Sequence, residues 1–363
     1  MGEQVGLDSA AAAPYTSFTM TPLRRNIILI TAGLLLVVGV DIWLMSVPPY
    51  KPASPEDPQQ QAASTPAPPA EAAPVEATIY SADMTQEPGE EWNDTTLGKT
   101  PKGGRPFLGP FSPRDKAILT LNKMPPHKMV RITFDLFVLY SWDGSSPIWG
   151  PCVFNCGLKD GRSLVHSSFC NCGFFNNNNE QSFPDSYPSR PFPAWTLAKE
   201  NQVLGYMQDW GDGDGPRDCS SVYHMVLTFP HAEDAIAFVF TSDSPQNIKK
   251  VYGLTNVRVE TMPELKTFTA EQLAALWSDL GEDDPAASYN ARWNLIAAGE
   301  PAVDFIGRHV DEIHVPARAP GPHPFPATDE EIKLQRARDV LDAIHSPAAL
   351  QLKNKIPQFE PGQ

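Results

Sequence analysis

Basic side chains are scarce in this chain. Over 363 residues, 28 Lys and Arg stand against 43 Asp and Glu, a formal charge of −15 at pH 7. A field of that sign repels nucleic acid and anionic lipid over long range, so no nucleic-acid partner is expected. Catalytic signatures are missing too. No strand carries an E-x-D-x-E-like pattern, and no nucleophile comes with an identifiable base and its orienting group. The expectation is a protein that is not an enzyme. Proline, in contrast, is abundant, with 38 residues, and a dense cluster runs from Pro48 to Pro74. The first fifth of the chain therefore does not belong to a globular core.

One long apolar run is present, Asn26 to Met45 (NIILITAGLLLVVGVDIWLM). About twenty residues at roughly 1.5 Å each span the roughly 30 Å hydrocarbon core. Arg24 and Arg25 precede the run, and the first basic residue after it is Lys51. The positive-inside rule then keeps residues 1–25 in the cytoplasm and exports everything that follows. Asp41 lies near the outer end, where a carboxyl reaching the headgroups costs least. The exit sequence Ser46-Val47-Pro48-Pro49 offers no small-x-small cleavage site, which favours an uncleaved, single-pass signal anchor over a signal peptide. The expected location is the cytoplasmic membrane, with the C-terminal domains outside the cytoplasm. Residues 46–77 are rich in Pro, Ala, Gln and Glu and bury too little to offset the entropy of ordering. Biased toward polyproline II at roughly 3.1 Å per residue, this linker can hold the next domain up to about 90 Å from the bilayer.

From residue 78 to 262 short apolar alternations replace the low-complexity pattern. Val130, Ile132, Phe134, Leu136 and Val138 share one face of a strand, as do Tyr223, Met225, Leu227 and Phe229, and then Ile236, Phe238 and Phe240. Tyr252 to Val259 closes the segment. Period-two strands between turn signals, with no long amphipathic helix, predict a mainly β domain, an antiparallel sandwich of jelly-roll form. Trp142-Asp143-Gly144, Gln181-Ser182-Phe183-Pro184-Asp185, the run Val222 to His231 and Gly253 to Val259 together resemble bacterial exported lectin-like or carbohydrate-binding jelly-roll modules. The resemblance covers about half the chain and implies the architecture more than any ligand. Where such modules commonly carry an Asp before the Asn of the last strand and acidic residues leading into it, this chain has Thr255 and Lys249-Lys250.

Two features suggest a binding face. Trp142, Trp149, Trp195 and Trp210 fall in or beside loops. Trp142, Trp195 and Trp210, with Asp143 nearby, form a candidate glycan platform; the competing reading is that each tryptophan covers an end of the sandwich core. Asp209, Asp212 and Asp214 alternate with glycines in a turn that could wrap calcium. Counted from Asp212, however, Pro216, Arg217 and Tyr223 replace the later EF-hand positions, which favours a solvated acidic turn. Cys152, Cys156, Cys170, Cys172 and Cys219 all lie in the exported segment, where oxidation is permitted. Cys152 and Cys156 are roughly 13 Å apart along a strand, too far to pair with each other, whereas a hairpin at Lys159-Asp160-Gly161 would return Cys170 or Cys172 toward Cys152. One or two disulfides with a spare thiol are expected. A structural zinc using His166 is the rival, although C-x3-C and C-x-C match no common zinc spacing. His166 and His224 fit ordinary strand positions.

Residues 263–363 change to helical periodicity. Leu273, Leu276, Trp277 and Leu280 recur at three and four behind a capping box at Thr269 and Gln272, with Phe268 able to staple onto Leu273. A second helix is expected from Pro285 to Ala298 with Asp284 as N-cap, a third from Ala302 to Ile313, and a fourth from Asp329 to Ile344 behind a capping box at Thr328 and Glu331. Leu276 to Leu280, Tyr289 with Trp293, and Arg336 to Leu341 resemble the short HEAT-like helical tails of some bacterial exported proteins. With the Pro-rich Val315 to Pro326 in the middle, the expectation is a small helical appendage that packs on itself or on a partner.

The leading expectation is a membrane-anchored, extracytoplasmic binding or scaffolding protein that recognises a glycan, a wall polymer or a protein partner through its sandwich. The alternatives are a structural subunit of a larger membrane assembly and, less favoured, a glycoside-hydrolase-like enzyme using Asp185 with Glu180 or Asp209.

Overall fold

The computed structural model describes residues 76–171, 180–245, 249–315 and 328–358. Residues 1–25, the apolar run and nearly all of the proline-rich segment lie outside those residues, as does Cys172. Among the described residues no helix is long and apolar enough to cross a membrane.

Alternating apolar residues build two main sheets. In chain order the strands are β1 (Ala77–Ala82), β2 (Leu97–Lys99), β3 (Pro106–Phe111), β4 (Lys116–Asn122), β5 (Met129–Tyr140), β6 (Val153–Leu158), β7 (Ser163–Ser168), β8 (Glu180–Gln181), β9 (Phe192–Pro193), β10 (Glu200–Asn201), β11 (Met207–Gln208), β12 (Arg217–Asp218), β13 (Ser220–Pro230), β14 (Ala235–Asp243) and β15 (Lys250–Met262). The larger sheet runs β10-β13-β5-β15-β3-β2, with β1 also paired to β15; the smaller runs β4-β14-β6-β7. Beside them β8 pairs with β9 and β11 with β12 as two-stranded ribbons. Every pairing is antiparallel. The long central strand β5 is flanked along its length by β13, from Ser220 opposite Leu139 to Pro230 opposite Met129, and by β15.

The inward face follows directly from the two-residue period. Ile132, Phe134, Leu136 and Val138 of β5 are fully buried, as are Met225, Leu227 and Phe229 of β13 and Phe238 and Phe240 of β14. Rings interlock across the gap between the sheets. Phe134 meets Phe240 edge-on at 5.3 Å, and Phe154 meets Tyr252 at 5.3 Å. Each fully buried ring of this kind stabilises the fold by about 1.5–3 kcal/mol.

The helices are α1 (Ala270–Asp279), α2 (Pro285–Ala298), α3 (Glu300–His309), α4 (Asp329–Ile344) and α5 (Pro347–Lys353), with a 3-10 turn at Val310–Glu312. Both expected capping boxes form, at Thr269 with Gln272 and at Thr328 with Glu331, and Asp284 caps α2. These are local hydrogen bonds between residues at most three apart, which is why a sequence can display them. The third expected helix ends earlier, at His309, and continues only as the 3-10 turn.

The tail does not pack only on itself. Its apolar residues join the sandwich in one continuous core. Tyr289 of α2 lies 5.8 Å from Phe183 of the sandwich, ring to ring. The buried Arg292 directs its guanidinium at the carbonyls of Pro184 and Leu164, both at 3.4 Å. Arg336 of α4 is fully buried. It grips both oxygens of Asp185 at 2.8 and 3.0 Å and donates to the carbonyls of Leu280 and Glu282 at 2.8 and 2.9 Å. One guanidinium thus ties α4 to the end of α1 and to the sandwich.

The cysteines require a correction. The expected hairpin between β6 and β7 forms, with Val153 opposite Ser168, yet no disulfide joins Cys152, Cys156, Cys170 or Cys219. Each described thiol has been placed in different surroundings. Cys152 Sγ accepts from the Asp143 amide at 3.2 Å. Cys156 faces the sandwich core, where burial pushes its thiol well above the usual range. Cys219 Sγ donates to the Arg217 carbonyl at 3.6 Å.

Candidate functional site

If the even positions of β5 point into the core, the odd ones must point outward, and the register of β13 and β15 groups them in tiers. The uppermost tier is apolar. Phe137 and Leu139 of β5, Val222 of β13 and Val251 of β15 are covered by Phe107, Leu204 and Tyr206 as a second small core. A Cβ at Gly253 would stand 2.3 Å from the Phe107 ring, so only glycine leaves room for that cover.

The middle tier is polar and closely bonded. Asp135 sits opposite His224 on one side and Thr255 on the other. Its side chain is 2 % exposed, whereas that of His224 is 49 % exposed. His224 Nδ1 bonds Asp135 Oδ1 at 2.7 Å, Asn256 Nδ2 donates to Oδ2 at 2.8 Å, and Lys199 Nζ lies 3.5 Å from Oδ2. Asn256 reaches it because β15 bulges between Thr255 and Arg258, with Asn256 at φ 52°. Burial pushes the Asp135 carboxyl up, but the bonds from Asn256 and His224 and the charge of Lys199 outweigh it and hold it below the usual aspartate range. An ionised Asp135 accepts the Nδ1–H of His224 and so turns Nε2 outward as an acceptor when the ring is neutral.

The lower tier opens into a groove of about 520 Å³. Its floor is Arg131 and Thr133 of β5, Val226 and Thr228 of β13, and Arg258 and Glu260 of β15; its wall is Tyr289, Asn290, Trp293 and Asn294 of α2, with Lys266 at one end. The floor is held by its own bonds. Arg258 Nε donates to Glu260 Oε1 at 2.9 Å and Arg258 Nη2 to Thr78 at 2.8 Å, while Arg131 stands 3.7 Å from Glu260 and donates to Thr228 at 3.4 Å. Lys266 Nζ donates to Asn294 Oδ1 at 3.0 Å. Tyr289 and Trp293 meet edge-on, at 6.2 Å.

The residues singled out from sequence are placed elsewhere. Trp142 is completely buried, with Nε1 donating to the Val251 carbonyl at 3.2 Å; it is a core residue and presents no face to a ligand. Asp143 pairs at 2.9 Å with Lys250, whose side chain has no exposure, so this carboxylate neutralises a buried cation. Trp195 and Trp210 are half-buried, and the Arg217 guanidinium lies over the Trp210 ring at 5.9 Å. With Trp142 in the core, the three tryptophans do not make one exposed platform. Trp149 is the exposed one, at 51 %.

Asp212 and Asp214 both bind Arg217, at 2.8 and 2.6 Å, while Asp209 caps the Gly211 amide. A guanidinium supplies the positive charge there. Among the described residues no group of three or more His, Cys, Asp or Glu is arranged to hold a metal ion, whether calcium in this turn or zinc near His166. Asp185, the carboxylate considered for catalysis, is committed to Arg336.

No protein-family model matches the chain, and no curated protein matches it. Solved structures show distant similarity. The dimeric latent PorU of Porphyromonas gingivalis aligns at 9 % identity and a TM-score of 0.26 over 53 % of this chain, which spans only 13 % of that protein. A carbohydrate-binding module of Cellvibrio mixtus lichenase 5A, solved with cellotriose, aligns at 10 % identity and 0.24, covering 53 % of this chain and all of the module. The xylan-binding domain of Paenibacillus barcinonensis Xyn10C aligns at 12 % identity and 0.25, covering 53 % and 98 % respectively.

Proposed function

We propose that this protein binds a polysaccharide, without converting it, in the groove between the outer face of the larger sheet and α2. The observation that carries the reading is the composition of that groove. A wall of Asn290, Asn294 and the half-buried Tyr289, with only 8 % of Trp293 accessible, faces a floor of flat or hydroxylated polar groups: Arg131, Arg258, Glu260, Thr133 and Thr228. Sugar rings offer apolar C–H faces for aromatic contact and neighbouring hydroxyls that a guanidinium, carboxylate or amide can engage two at a time. The volume falls in the range of small-ligand clefts. His224, held by Asp135 on the same face one tier up, adds an acceptor.

In this reading the sandwich, of jelly-roll-like form, is a binding module. The apolar run Asn26 to Met45 anchors it in the cytoplasmic membrane, and the proline-rich linker extends it outside the cytoplasm toward a wall polymer. A second reading, contact with a protein partner in a membrane assembly, is favoured by one observation. Ile148 and Trp149 are 75 % and 51 % exposed on a turn whose amides are pinned to Ser146 Oγ at 3.3 and 3.2 Å.

Affinity electrophoresis of the full chain through gels containing individual polysaccharides separates the two. Retardation by at least one polymer is expected. Asn290→Ala, on the exposed side of α2, and Trp293→Ala should each weaken it about tenfold, with the melting temperature of Asn290→Ala unchanged. Lack of retardation in every gel, or wild-type retardation of both variants, would count against the groove.

A further inference from the structure

Resting on that reading, we infer that the groove selects acidic polysaccharides, in which the sugar rings carry carboxylate groups. Three cations line it, Arg131, Arg258 and Lys266, against the single carboxylate of Glu260. The local balance is therefore positive in a chain whose overall charge is −15. At physiological salt, charges beyond about 8 Å are screened, so a ligand in the groove meets the local set and not the overall charge.

The charges also differ in depth. Glu260 is 18 % exposed, whereas Arg131 and Arg258, its two partners, are 33 % and 51 % exposed. The carboxylate thus lies beneath the guanidinium groups, and the cations face the solvent. It also fixes them: Glu260 and Thr78 orient Arg258, Glu260 and Thr228 orient Arg131, and Asn294 orients Lys266. Each guanidinium has five N–H donors in a planar fork, and these internal contacts engage only part of that set. What remains suits a carboxylate, which guanidinium binds through two parallel hydrogen bonds. Preorganised cations of this kind lose little side-chain entropy when the ligand arrives. Neighbouring Thr133, Thr228 and Asn290 are left for ring hydroxyls.

The test compares one backbone in two charge states. Polygalacturonate and its methyl ester share one sugar backbone, the ring carboxyl being a free carboxylate in the first and a neutral methyl ester in the second, and alginate and hyaluronate extend the acidic set. Titration calorimetry of the full chain should give at least tenfold tighter binding to one of the acidic polymers than to neutral polymers. For polygalacturonate, the matched comparison is its ester. The preference should shrink as NaCl rises from about 50 mM to about 500 mM. Arg131→Gln and Arg258→Gln should each lose about tenfold. Glu260→Gln, which keeps an acceptor oxygen to orient the two guanidinium groups while removing the groove's one competing negative charge, should bind the acidic polymer more tightly. Equal affinity for acidic and neutral polymers, or weaker binding by Glu260→Gln in a variant that melts like wild type, overturns the charge inference while leaving polysaccharide binding intact. Binding to none of the polymers, or to polyglutamate alone, overturns both.

Discussion

Replacing Arg336 with alanine is expected to destabilise the protein by about 3–5 kcal/mol, the cost of removing one partner from a buried ion pair. The side chains of Arg336 and Asp185 are only 2 % and 5 % exposed. Without the guanidinium, Asp185 keeps a buried charge with no counter-ion, and the carbonyls of Leu280 and Glu282 lose their donor. Arg336→Lys should recover only part of the loss, because an ammonium cannot reproduce two parallel bonds to a carboxylate together with two to carbonyls. Equilibrium urea denaturation of wild type, each single variant and the Asp185→Asn/Arg336→Met double variant measures the coupling. The double variant should be more stable than Arg336→Ala, since it leaves no buried charge. A loss below about 1 kcal/mol for Arg336→Ala would mean that the tail is not held to the sandwich by this contact.

Asp135→Ala should cost about 2 kcal/mol at neutral pH, since hydrogen bonds to a charged acceptor contribute about 1.5–3 kcal/mol and the exposed donors recover part of that from water. His224 and Lys199 have side chains 49 % and 50 % exposed, so both can be rehydrated. The sign of the pH dependence follows from the lowered Asp135 carboxyl. A group held below its unfolded value adds stability that is complete above that value, ordinarily 3.8 for aspartate, and disappears as pH falls through the folded value. Melting temperatures of wild type and Asp135→Asn should therefore differ most at neutral pH and converge in acid. A gap that is constant, or that widens on acidification, would contradict the arrangement. The same variant frees the His224 ring and should weaken polymer binding without abolishing it.

Much of this architecture was legible in advance where the determining contacts are local or periodic. The inward alternation on β5, β13 and β14 marked the core, and the capping residues marked the starts of α1, α2 and α4. The seven residues of α5 are too few to show a period. The outward positions of β5 and β13, Arg131, Thr133, Asp135, His224 and Thr228, were equally regular, and Arg258 and Glu260 follow the bulge in β15. They become a site only because β5 pairs with strands about ninety and one hundred and twenty residues away and because α2 closes one side, which no local pattern encodes. Trp142 misled for the complementary reason. A tryptophan beside a loop can serve as a stacking face or as a core plug, and the choice is made by Val251, more than a hundred residues later, which accepts its indole N–H. Asp185, weighed from sequence as a catalytic carboxylate, and Arg336, part of the HEAT-like helix pattern, carry no local sign that the fold buries them against each other.

The most direct test of the central claim is a crystal structure of the protein with a bound acidic oligosaccharide. The account predicts sugar rings in the groove beside Trp293, with a ring carboxylate on Arg131 or Arg258 and Glu260 lying beneath. An ordered oligosaccharide seated instead on the loops carrying Trp149 or Trp210, with the groove beside α2 unoccupied, would contradict it.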